Sequence, residues 1–210
     1  MLLVLLVKGI VVGIVIAVPV GPVGVLCLRR TIFAGRLSGL VSGLGAATAD
    51  ALFGAIAAFG LTFVSSWLFG YENALRAGGG AYLIYSGGSA LWSRTPDRLT
   101  DTPDAETLLR DFASAFALTI TNPVTIVVFL AIFAALGLGG TRATLPRACF
   151  MVLGVWLGSL LWWFGLSAGV GFFRRSIEPR HLAWIGRGSG LVLLLSGAAL
   201  VASVVLKHLG

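Results

Sequence analysis

The chain has 210 residues, 58% of them apolar and only 11% charged, with a formal net charge of +7. A soluble domain carries about 25% charged residues, so an ordinary soluble enzyme is excluded. The 15 Lys and Arg lie in short islands between long apolar runs, which reads as the loops of a membrane protein and not as a nucleic-acid surface. Two cysteines cannot build a disulfide framework.

Six stretches lack Lys and Arg and match or approach the roughly 20 residues that cross a bilayer. In chain order they are Gly9–Leu28, Leu37–Tyr71, Ala77–Ser93, Phe112–Thr141, Ala148–Phe173 and Gly188–Leu206. A span satisfies its backbone internally only as a helix here, so the expected fold is all-α and polytopic, with six transmembrane helices.

The first span lacks a basic leader and a small-x-small cleavage site, and it reads as an uncleaved helix. It contains Val18-Pro19-Val20-Gly21-Pro22. Two prolines and a glycine remove donors and disfavour helix, so a break is expected there. In the second span, Asp50 is the one charged residue between Arg36 and Glu72. A central Asp costs about 3 kcal/mol on insertion scales, and such residues face the bundle interior and mark ion or substrate paths. Asp50 has the chemistry to carry a proton, ligate Na⁺ or meet a substrate ammonium, and the sequence does not choose among these.

The third span is short, with Tyr82, Tyr85 and Trp92 placed for interfacial anchoring or packing. Its glycines, like Gly39, Gly43, Gly45 and Gly54 before them, suit close helix contacts. Residues 94–111 hold five of the eight acidic residues and read as a cytoplasmic, solvated linker. The fourth span carries a second break, Thr119-Ile120-Thr121-Asn122-Pro123, again with polar side chains at hand. Trp156, Trp162 and Trp163 in the fifth read as lipid or packing contacts.

The whole chain, 1–210, reads as one transporter domain with two half-repeats, about 1–93 and 112–210. Gly21-Pro22-Val23 aligns with Asn122-Pro123-Val124, Gly43 and Gly54 with Gly154 and Gly165, and Ser86-Gly87 with Ser196-Gly197. Three helices per half is an odd number, so the second half is inverted in the membrane, a 3+3 arrangement typical of secondary transporters. Ten basic residues lie on the linker side and five on the other. That bias puts the linker in the cytoplasm and both termini in the periplasm. Past each proline a half-helix resumes with its positive end deep in the membrane, which suits a substrate carboxylate. The expected substrate or ion site is Asp50, Pro19, Gly21, Pro22, Thr121, Asn122 and Pro123.

These residues resemble a known family. Pro19-Val20-Gly21-Pro22-Val23-Gly24, then Leu28-Arg29-Arg30, Gly35-Arg36 and Gly39 through Asp50, look like the amino-terminal signature of the lysine exporter (LysE/RhtB) family. Asn122-Pro123 resembles that family's second motif. The resemblance spans essentially the whole chain. It implies a bacterial inner-membrane exporter of amino acids or related small zwitterions, driven by the proton motive force. It also implies roles for Pro19, Gly21, Pro22, Asp50, Asn122 and Pro123. No cofactor is expected, and Na⁺ coupling stays open. The expected partners are a small-molecule amino-acid substrate and membrane lipids, with no nucleic acid; a homo-oligomer is left open.

Other classes fit less well. An intramembrane hydrolase needs a Ser–His pair, two carboxylates or a metal cluster at depth, yet His181 and His208 lie outside the spans and one carboxylate is present. A thiol–disulfide carrier of the CcdA/DsbD type needs symmetric cysteines, which Cys27 and Cys149 are not. A passive channel is the alternative to coupled export.

Overall fold

Apart from the exposed Lys8, the first helix is apolar on every side, so what distinguishes its faces is size. Leu3, Val7, Val11 and Val15 are exposed at one-turn spacing, whereas Gly9, Val12 and Gly13 are buried. In the computed structural model of the chain, the structure describes residues 2–18, 21–59, 71–92, 103–122, 125, 128–129, 144–173 and 179–209. Among them are seven helices and no strand. They are α1 (Leu2–Ala17), α2 (Pro22–Phe33), α3 (Arg36–Phe59), α4 (Glu72–Trp92), α5 (Ala105–Ile120), α6 (Leu145–Phe173) and α7 (Pro179–Leu209).

The buried glycine face of α1 lies on α6. A side chain at Gly13 would run into the Val155 carbonyl, and one at Gly158 into that of Ile10. The α4–α7 pair uses the same device: Gly80 faces Gly197, and Gly87 faces Gly190. Small residues let backbones approach where lipid offers no hydrophobic drive for association. On α3, Gly43 makes room for Trp163 of α6, and Gly45 meets the backbone of α5 at Phe112. Gly54 and Gly165 have ordinary or open space around them, so they are not needed for close approach.

Among the described residues three helices, α3, α6 and α7, are long and apolar enough to cross a bilayer, and α1 with α2, bent by 84° at their break, passes the same test as a pair, as a broken span or a re-entrant loop. The regular structure of the described residues is thus all helical, consistent with a polytopic membrane protein. Helix α4 has 21 residues but is less apolar, and α5 has 16.

Helix ends depart from the apolar runs. Helix α4 begins at Glu72 and α7 at Pro179, both ahead of their apolar stretches, while α3 ends at Phe59 and residues 60–70 lie outside the described part. Backbone hydrogen bonds continue wherever a cap permits, regardless of side-chain polarity. Helix α5 starts at Ala105, inside the stretch expected to be linker. Its N-cap is Asp104, whose side chain accepts from the Thr107 amide at 2.8 Å. The Thr107 side chain, and with it the Thr107 amide, holds the Asp104 carboxyl below the usual carboxylate range. Between α2 and α3 the chain turns at Gly35, at φ 101°, a conformation that glycine takes without strain.

Candidate functional site

The site forms where two helices stop. Helix α1 ends as the Val18 amide donates to Ile14 at 2.9 Å. Gly21 is extended, at φ −95° and ψ −165°, and Pro22 opens α2 at a position where its missing N–H costs nothing. Helix α5 stops at Ile120. The Thr121 amide bonds Ala117 at 2.9 Å, the Asn122 amide bonds Thr119 at 3.2 Å, and the Thr125 amide bonds the Asn122 carbonyl at 3.1 Å. Asn122 thus closes one helix and its carbonyl begins the next turn.

Between these ends lies a cavity of about 140 Å³, walled by Gly21, Pro22, Asp50, Asn122, Thr125 and Trp163 among others. Asp50 is 3% exposed. The Ser159 hydroxyl of α6 donates to its Oδ2 at 2.7 Å. An ionised carboxylate has about four acceptor positions, so one hydrogen bond leaves it able to meet a cation or exchange a proton. A side chain at Gly21 would meet nothing within 4 Å. Glycine there keeps the cavity open.

Four of the expected site residues, Asp50, Gly21, Pro22 and Asn122, therefore share one cavity. Thr121 lines a neighbouring one of about 380 Å³, which shares Pro22, Val23 and Asn122 with the first. Pro19 and Pro123 lie outside the described residues. Cys27 is buried and Cys149 exposed, both as free thiols.

Two features were not anticipated. Trp163, expected at lipid or in packing, does pack, 6% exposed over Gly43 and in a core with Ala46 and Ala47, but it also forms cavity wall. Arg30 and Asp111, counted as loop and linker charges, form an ion pair inside the bundle. Arg30 Nε lies 3.0 Å from Asp111 Oδ1, with side-chain exposures of 11% and 9%. Arg30 Nη1 donates to Ser42 and to the Asp111 carbonyl, both at 2.9 Å. Its Nη2 donates to Tyr82 at 2.9 Å and to Ser114 at 2.7 Å. All five guanidinium donors are engaged, and four helices, α2 to α5, meet at one side chain. No local signal announces such a pairing, because its partners stand up to 84 residues apart. The start of α5 did carry one: Pro103-Asp104 ahead of Glu106 is an N-terminal helix pattern.

The family model for LysE type translocators matches residues 14–204. The chain belongs to the LysE type translocator family. This LysE chain is also similar to a Bacillus subtilis (strain 168) protein named "Putative amino acid efflux protein YcgF", at 28% identity over 198 residues, covering 90% of each chain. No solved structure matches. Membership makes the LysE chain a multi-pass membrane transporter.

Proposed function

We propose that this LysE family member exports an amino acid or a similar small zwitterion across the bacterial inner membrane, in exchange for protons. The observation that carries the reading is Asp50, enclosed yet facing the cavity between the two helix breaks. The substrate carboxylate meets the start of α2 at Gly21 and Pro22, where first-turn amides have no helical partner. The ammonium group or the coupling proton meets Asp50. A zwitterion carries no net charge, so proton exchange makes the membrane potential usable. One proton gains about 2.3 kcal/mol per 100 mV, roughly a fifty-fold accumulation.

Alternating access between two inverted halves completes the mechanism. The glycine contacts of α4 and α7 support it. Gly80 and Gly87 correspond to Gly190 and Gly197 at the spacing that relates Ser86 to Ser196. Exchanging the halves turns the Gly80–Gly197 contact into the Gly190–Gly87 contact, and both are present. A pseudo-two-fold axis has that property. In this scheme the linker is cytoplasmic and both termini are periplasmic.

Efflux of loaded amino acids from cells making wild type or Asp50→Asn tests the reading. The variant is expected at the membrane in normal amount with efflux at background. Wild-type efflux from Asp50→Asn removes the acid from the mechanism.

A further inference from the structure

The larger cavity has a chemistry of its own. Leu83, Leu118 and Leu200 give it aliphatic walls, Ser196 and Ser203 add hydroxyls, and Arg76 of α4 brings a guanidinium. No acidic residue is among its described lining. It adjoins the Asp50 cavity at Pro22, Val23 and Asn122, so a molecule held at Asp50 by its head group has this space next to it.

We infer that this second cavity receives the side chain of the exported amino acid, and that Arg76 makes the exporter reject cationic side chains in favour of uncharged or acidic ones. The inference rests on the reading that Asp50 and the α2 start hold the head group. Arginine stays charged in every protein setting. A lysine or arginine side chain entering the cavity would bring like charges together in partly desolvated surroundings, the arrangement by which binding sites exclude wrong partners. A leucine-like chain is matched by the aliphatic walls, and a hydroxylated one by the serines. Arg76 has a partner of its own, its guanidinium stays protonated beside it, and the Arg76 variants below read whether that charge governs entry.

The test is counterflow in proteoliposomes with labelled leucine, threonine, alanine and lysine. Wild type is expected to move leucine or threonine and to move lysine more than about tenfold more slowly, the size of a like-charge exclusion. Arg76→Gln and Arg76→Glu are expected to raise the lysine-to-leucine ratio, the second more than the first. A merely structural role for Arg76 would lower both rates and leave the ratio alone. Ser196→Phe, which fills the cavity, should slow leucine and spare alanine. Equal transport of lysine and leucine by wild type overturns the inference. So does an unchanged ratio in both Arg76 variants while Asp50→Asn is silent, an outcome that leaves the head-group reading intact. Undiminished transport in Asp50→Asn takes both down.

Discussion

Asp50 and Asp111 are both carboxylates enclosed by the helices, and their surroundings differ in kind. Asp111 faces an arginine that spends every donor on fixed partners. Among the described residues Asp50 has one hydrogen-bond partner, Ser159, and otherwise faces a cavity. A charge whose partners are all protein holds helices together; a charge that keeps open valence beside empty space is available to a visitor. Burial alone does not separate the two, since both side chains are nearly inaccessible. What separates them is the partner and the space beside it: Asp111 Oδ1 meets a guanidinium while its Oδ2 is buried without a hydrogen bond, whereas Asp50 meets a neutral hydroxyl and faces a cavity.

Breaking the Arg30 cluster should have the largest effect on folding. Asp111→Ala leaves a guanidinium enclosed without its counter-charge, at a cost of about 3–5 kcal/mol. Loss of folded, monodisperse protein in detergent would register it. Replacing both partners, as Arg30→Met with Asp111→Leu, should recover much of that loss, because matched apolar groups avoid the unpaired charge. Tyr82→Phe removes one acceptor from Arg30 and should lower stability by about 1.5–3 kcal/mol, read as a lower thermal midpoint. Ser159→Ala at the other acid should cost about 0.5–1.5 kcal/mol. Its main expected effect is slower export, seen in efflux rate at equal expression. Gly21→Ala should change stability least, since its backbone is extended and its surroundings open. A change in efflux without a change in thermal midpoint would identify Gly21 as cavity wall. If Ser159→Ala unfolds the protein while Asp111→Ala does not, the contrast between the two acids is reversed.

The two helix breaks, the glycine contacts and Asp50 were legible in the sequence because each is a local anomaly: a proline, a small residue or a charge in the wrong setting. Four of the expected site residues fall on one cavity for that reason. Arg30 and Asp111 were illegible because each looks ordinary where it stands, one among basic residues that set orientation, the other at the end of an acidic stretch. Only tertiary packing joins α2 to α5. Packing was an expected role for Trp163, but its share in the cavity wall escaped for a related reason. An aromatic residue in an apolar helix fits lipid, core or cavity equally well, and the choice falls to Gly43 on another helix. Helix starts ran ahead of the apolar runs since hydropathy measures side chains, whereas helices are bounded by caps.

Helix α6 has 29 residues, and Ser159 is the middle one, fourteen from Leu145 and fourteen from Phe173. At 1.5 Å per residue, its bond to Asp50 is about 21 Å from either end of that helix. An acid so placed is equally remote from both of them. Its position carries no arrow, so in the exchange proposed above the direction of traffic past it would be decided by which end of the bundle opens and by the gradient outside.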